Sequence, residues 1–406
     1  MEFEFLTIED LDVRDKTVFL RVDVNSPLNP STHEILDDSR IRATKETLEC
    51  LVDAKVVLGS HQSRPGKDDF TSLEAHAKLL QKYCSQKVVF IDDVIGPFAK
   101  KAIRELKNGE VLVLDNLRLC AEENVEATPE KLAKTHLVQN LYPLLNLYVN
   151  DAFAAAHRSQ PSLVGFAEIL PSAAGKLMER ELRSLNAVLG EPARPSIYVL
   201  GGAKAEDKVP VIENILKNGK ADKILLGGVI AKIFLKARGC SLGRKEDAEI
   251  KNFETFINKA KEIMANYGEN VELPADFAVN RNGARAEVSV EKLPVEEAVL
   301  DVGRKTVEKY IAYIARAKTV VANGPLGVFE KNEFEYGTKS ILKAISKCNA
   351  FTMIGGGHLA GFAGMLGIEK NFSHVSTAGG AMLSALAGQS LPAVEALVRS
   401  AAKYRK

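Results

Sequence analysis

The chain contains no tryptophan in 406 residues, and aromatic residues make up only 6% of it. No tryptophan signal can therefore report a change of conformation. Cysteine is scarce too: Cys50, Cys84, Cys120, Cys240 and Cys348 are scattered, odd in number and without a CxxC pair. That pattern argues against a disulfide framework and a zinc site, and fits reduced core thiols in the cytoplasm. Neither charge sign is in excess. Lys plus Arg is 54 and Asp plus Glu is 53, a net charge of +1 that gives no global field for nucleic acid or membrane. The acidic start MEFEFLTIEDLD lacks the basic and apolar regions of a signal peptide. No apolar run reaches the roughly 18 residues of a spanning helix. What is present, 46% hydrophobic and 26% charged residues, has the make-up of a globular protein with ample core. The length calls for two domains.

The first half repeats one unit: a β-branched run, a polar loop, then a helical pattern. The runs are 17–22, 55–58, 88–91, 111–114 and 147–149, with helical stretches at 42–52, 72–83 and 96–106. Such alternation predicts a parallel sheet covered on both faces, with ligands beyond the carboxyl ends of the strands. The loops there are RVDVNSP with Arg21, Asp23 and Asn25, then HQSRP with His61 and Arg64, DNLRL with Arg118, and NDAFAAAHR with His157 and Arg158. Arg40 opens a helix. One loop arginine is an ordinary surface charge, but several at one sheet edge make a pocket for a small polyanion, since guanidinium forks grip phosphate bidentately.

A long amphipathic helix is expected over 172–189, ended by Pro192 and Pro195. The alternation then restarts with runs at 197–200, 223–226, 271–273, 319–322 and 350–354, and its loops are rich in glycine instead of arginine. The first, GGAKAEDK, puts Gly202 before Lys204 and Lys208, four residues apart and on one face of a helix start. Helix starts carry free N–H groups and suit phosphate. Gly227, Asn323, Glu330, the Gly355-Gly356-Gly357-His358 turn and Gly380 follow in comparable loops. Stretches 244–267 and 391–406 read as amphipathic helices, the former with no evident chemistry. The expected fold is α/β: two Rossmann-like three-layer α/β/α domains with parallel sheets, joined by a long helix and hinge.

A P-loop, kinase signatures, zinc-protease patterns and GxSxG are all absent. Gly355-x-Gly357-x-x-Ala360 matches the loose dinucleotide fingerprint, but the acidic residue expected about twenty positions on is missing. An arginine-rich half and a glycine-rich half point to phosphoryl transfer between a small anion and a nucleotide. RVDVNSP, DDSRIR, HQSRP, DNLRL, NDAFAAAHR, GGAKAEDK, NGPLGVFE, the triple glycine and HVSTAGGA occur in the order found in one family. The chain closely resembles phosphoglycerate kinases, nearly end to end.

The resemblance implies reversible transfer from 1,3-bisphosphoglycerate to ADP, giving 3-phosphoglycerate and ATP, with Mg2+ accompanying the nucleotide. It assigns Asp23, Asn25, Arg40, His61, Arg64, Arg118 and Arg158 to the glycerate phosphate. Gly202, Lys204, Lys208, Gly227, Asn323, Glu330 and Gly355–His358 go to the nucleotide, and Arg40, Lys204, Gly357 and Gly380 to the moving phosphoryl group. The implied domains are 1–171 for 3-phosphoglycerate, a connecting helix at 172–190, 191–390 for the nucleotide, and a tail helix at 391–406 folding back on the first. A cytoplasmic monomer or weak homodimer is expected. The acceptor is a carboxylate, already ionised, so no general base is needed, and a hinge closure must align donor and acceptor. Three departures stand out. His358-Leu359 replace the family's usual Asp-Thr, as in a largely archaeal branch, and leave the magnesium seat open. Ser63 replaces a usual glycine, and Ala322 stands where the family often has tryptophan. Two other readings are a nicotinamide-dependent oxidoreductase and a catalytically silent metabolite-binding protein of the same fold.

Overall fold

A computed structural model describes residues 3–405. Residues 1, 2 and 406, the outer ends of the expected first domain and tail helix, lie outside the described residues. Strands β1 (Thr17–Arg21), β2 (Lys55–Gly59), β3 (Lys87–Ile91), β4 (Glu110–Leu114), β5 (Leu147–Asn150) and β6 (Ser172–Ala174) form one parallel sheet. Its order is β3-β4-β2-β1-β5-β6. The central strands are buried on both faces, as their β-branched runs require, and edge strand β3 only partly so. The chain winds from β1 to one side and later returns to its other side, so the winding reverses between β1 and β5. Loops at such a point splay apart and leave a crevice.

The second sheet repeats the scheme. Strands β7 (Ser196–Leu200), β8 (Lys223–Leu226) and β9 (Val271–Glu272) run to one side. Strands β10 (Asp276–Arg281), β11 (Ala284–Ser289) and β12 (Val299–Val302) form a small antiparallel sheet that the run pattern does not foresee. Then β13 (Thr319–Asn323), β14 (Phe351–Gly355) and β15 (His374–Ser376) complete the order β15-β14-β13-β7-β8-β9. Here the winding reverses between β7 and β13, whose ends are joined by Gly201 N–H donating to the Asn323 carbonyl at 3.0 Å.

The described chain divides into two compact units: one runs to Arg183 and resumes at Ser390, the other is Ser184–Gln389. Three expected helices differ. The 172–189 helix begins only at Lys176, because Ser172–Ala174 pairs with β5 as a strand. Its start is capped from a distance, Leu177 and Met178 N–H donating to Asp151 Oδ1 at 2.9 and 3.0 Å. The 42–52 helix starts earlier and breaks into Ser39–Ala43 and Lys45–Glu49 around Thr44, whose hydroxyl bonds back to the Ile41 carbonyl at 2.7 Å. The 244–267 helix splits into Arg244–Glu249 and Glu254–Tyr267, with the buried Ile250 outside helical geometry between them. The first piece brings Glu246 to the buried Lys232, and the second buries Ile257, Ala260 and Ile263. The tail helix, Pro392–Tyr404, buries Ala393, Val394, Ala396, Leu397 and Ala401 in the first unit, and Ser172 N–H donates to Ser400 Oγ at 2.9 Å.

Candidate active site

In the first unit the loops after β1, β2, β4 and β5 bring the predicted anion residues together. Asp23 pairs with Arg40 at 3.0 Å. Asn25 Oδ1 accepts the Ser63 N–H at 2.8 Å, and the Ser63 carbonyl accepts from the Arg118 guanidinium. Ser63 takes φ +55°, a conformation usually left to glycine, and its hydroxyl donates to Asp69 Oδ1 at 2.5 Å. Burial, then Arg158 and Arg21 beside it, pull the Arg118 guanidinium down to about 10. Its Nε is buried with no hydrogen-bond partner among the described residues. Arg64 and His157 lie exposed and Arg158 half-buried. Burial alone would raise the Asp23 carboxyl, but the positive charges around it, Arg40 and Arg21 among them, hold it below the ordinary range.

Arg21 is not one of the open cations. It is fully buried, donating from Nε to Ser162 Oγ at 2.7 Å and contacting His61 Nδ1 at 3.1 Å. Burial, with Arg21, Arg118 and Arg158 nearby, lowers His61 to about 3, so it is neutral at physiological pH.

In the second unit one cavity of about 800 Å³ lies at the reversal of winding. Four helices start on its wall: Ala205–Lys217 behind its cap Lys204, Gly228–Ala237, Gly357–Met365 and Gly379–Leu386. Gly202, Lys204, Lys208, Asn323, Glu330, Gly356, Gly357, His358 and Gly380 all line it. Gly227 and Gly355 do not: a side chain at Gly227 would strike Leu326 at 2.4 Å, and Gly355 sits under Met382. Their smallness serves packing, and Gly228 faces the cavity instead. Burial brings the Lys208 ammonium down to about 8. The Asn323 amide nitrogen is buried without a partner among the described residues. His358 is exposed, its ring 5.9 Å from that of Phe329.

The 244–249 segment, which showed no chemistry in the sequence, reaches this cavity. Buried Lys232 pairs with Glu246 and, at 2.9 Å, with Glu249, while Val299 N–H donates to Glu246 Oε1 at 2.8 Å. Lys232, Glu246 and Glu249 join Phe277, Val299 and Leu300 on the wall. Asp301, raised to about 6 by burial, ties the antiparallel sheet to the helix at Tyr336 through Arg285 and Gly337 N–H, both at 2.8 Å.

Residues 8–389 match the family model described as phosphoglycerate kinase. The chain belongs to the phosphoglycerate kinase family. It is 45% identical to the phosphoglycerate kinase of Methanobacterium bryantii over 410 residues, covering 100% of both chains. Among solved structures, it matches phosphoglycerate kinase from Pyrococcus horikoshii OT3 with a TM-score of 0.88 and 43% identity, covering 98% of this chain and 100% of that one. Phosphoglycerate kinase from Coxiella burnetii matches with a TM-score of 0.80 and 30% identity, covering 98% and 99%. The relatives are archaeal phosphoglycerate kinases in the first instance, as the His358 resemblance implied. The activity follows: a phosphotransferase with a carboxyl acceptor, moving a phosphoryl group between 1,3-bisphosphoglycerate and ADP to give 3-phosphoglycerate and ATP.

Proposed function

We propose that the two units divide the substrates between them. Asp23, Asn25, Arg40, His61, Arg64, Arg118 and Arg158 hold the glycerate phosphate, and the glycine-lined cavity holds the nucleotide. The observation that carries this reading is the convergence of four helix N-termini and two lysines on one cavity, a ready cradle for a polyphosphate. On the other unit, burial first and then the charges of Arg158 and Arg21 depress Arg118, and a bound phosphate would relieve the repulsion among the three cations. Magnesium is read as part of the nucleotide substrate, held chiefly by phosphate oxygens. Among the described residues no group of three or more His, Cys, Asp or Glu is placed to cage a metal ion.

No general base is assigned. A carboxylate nucleophile is ionised at neutral pH, so the residues' task is alignment and neutralisation of charge on the equatorial oxygens. Arg40, Lys204 and the helix starts at Gly357 and Gly380 take that role. Since the substrates are assigned to different units, turnover requires a closure that brings them within reach and excludes water. We place the enzyme in the cytoplasm, in keeping with its free thiols, as a monomer or weak homodimer. Arg40→Ala tests the catalytic part. We expect kcat to fall more than about tenfold, with the KM for MgADP within about twofold. An unchanged kcat removes Arg40 from the transition state.

A further inference from the structure

The buried end of the anion site contains more than the binding residues require. Arg21 closes β1 with its side chain fully buried, and Glu123, 3.9 Å from its NH2, is equally buried. Ser162 links them: its hydroxyl accepts from Arg21 Nε, so its own hydrogen goes to Glu123 Oε1, while its N–H donates to Glu123 Oε2 at 3.0 Å. Glu123 thus accepts on both oxygens. Burial pushes its carboxyl up, and the Arg21 charge and the Ser162 bonds oppose that. Arg21 NH1 is spent on the Val22 carbonyl, which leaves NH2 aimed at His61 Nδ1 at 3.1 Å.

A guanidinium has five N–H donors and no acceptor. A ring nitrogen facing it at 3.1 Å must offer a lone pair, so Nδ1 cannot carry a proton. The ring's one hydrogen is then on Nε2. We propose that Arg21, braced by Glu123 and Ser162, is a positioning residue that fixes His61 as the neutral Nε2–H tautomer, making it a hydrogen-bond donor to the glycerate substrate and not a charge. Protonating Nδ1 would set an N–H against an N–H. The other charges facing the ring are Asp23 after β1, Arg118 after β4 and Arg158 after β5. Three cations against one carboxylate also disfavour imidazolium. The donor role rests on the reading that His61 meets the glycerate; the tautomer does not.

The test begins with the full-length wild-type enzyme, so it does not depend on any variant folding. Nitrogen NMR of 15N-histidine protein, with His61 assigned by its loss in His61→Gln, reads the tautomer directly. The expected result is a pyrrole-type Nε2 and a pyridine-type Nδ1 that stay unchanged from about pH 5 to 8. A protonated Nδ1, or a midpoint inside that window, overturns the proposal. The double variant Arg21→Gln/Glu123→Gln removes the pair without stranding one buried charge. In it, His61 should populate both tautomers or titrate. The KM for 3-phosphoglycerate should rise about tenfold, the worth of one misaligned hydrogen bond, with kcat within about threefold. An unchanged His61 spectrum in that folded variant overturns the role of Arg21. If the wild-type spectrum is as expected but His61→Gln leaves the KM for 3-phosphoglycerate unchanged, the glycerate-site reading fails and the donor role goes with it.

Discussion

Lys208 shows how burial sets the pH response of a single group. Its ordinary value is 10.5 and burial brings it to about 8. The unfolded chain therefore keeps this proton to higher pH than the folded one. The group's contribution to stability is fully present above pH 10.5 and is lost as the pH falls through about 8, where the fold must hold a buried charge. A phosphate beside it reverses the balance by favouring the ammonium. Binding of ADP should thus take up as much as about half a proton at pH 8, seen as heats that differ between buffers of different ionisation enthalpy. Lys208→Met should abolish the uptake, and a wild-type uptake near zero would mean that no phosphate approaches this lysine. Ser63 supplies a second case. Its positive φ costs about 1 kcal/mol, and its hydrogen bond to Asp69 returns a similar amount. Ser63→Gly should then leave urea stability almost unchanged, while Ser63→Ala, which keeps the strain and loses the bond, should cost about 1 kcal/mol. Much of this scale was legible, because loop arginines and lysines stand beside strand ends in the sequence itself. Glu123 and Glu246 were not: their partners Arg21 and Lys232 are 102 and 14 positions away, and nothing local marks a charge as buried.

Glycine at the helix starts plays two physically different parts. An added Cβ at Gly379 would lie 2.9 Å from Gly356 Cα, so the two helix starts need glycine to sit this close. At Gly357 and Gly380 an added Cβ meets nothing within 4 Å. Packing places no demand on those two, and only an approaching ligand would. Gly379→Ala should therefore lower stability by about 1–3 kcal/mol in urea titration. Gly357→Ala and Gly380→Ala should unfold at the wild-type midpoint or slightly above it, yet weaken MgADP binding or kcat by about tenfold or more. Full activity in both would remove these helix starts from the site. The tail helix is a second element with a measurable role. Deleting residues from Ser390 onward exposes the surface it covers and should cost on the order of 3 kcal/mol, or about 6–12 °C in the melting of the first unit. Element type followed well from hydrophobic period, but starts and breaks did not. The 172–189 pattern is apolar at helical spacing, yet Ser172–Ala174 goes to the open edge of β5 and Asp151 sets the start of the helix after it. The missed antiparallel sheet did leave a local signal. Asn282-Gly283, both at positive φ, form the tight turn between β10 and β11, and Asn-Gly between strand-like runs marks such a hairpin.

At the scale of the molecule, two sheets of the same winding present opposite chemistries at their reversals: side-chain cations between β1 and β5, and main-chain amides between β7 and β13. The doubly wound class was readable from alternation because helix-covered parallel strands are apolar throughout. The compact units divide after Arg183, inside the helix Lys176–Leu189 and so within the stretch 172–190 read as the connecting helix. The closure proposed above has no tryptophan to report it, so ligand binding is the more direct probe. The central claim is that each unit holds one substrate by its own means. Calorimetric titration of the full-length Arg64→Ala/Arg158→Ala enzyme with 3-phosphoglycerate and, separately, with MgADP tests it most directly. Both arginines lie outside the buried core and can be removed without opening it. The account predicts that 3-phosphoglycerate affinity falls by about 100-fold or more, two charge-assisted contacts being lost, while MgADP affinity stays within about twofold. Unchanged binding of 3-phosphoglycerate, or a parallel loss of MgADP, would contradict it.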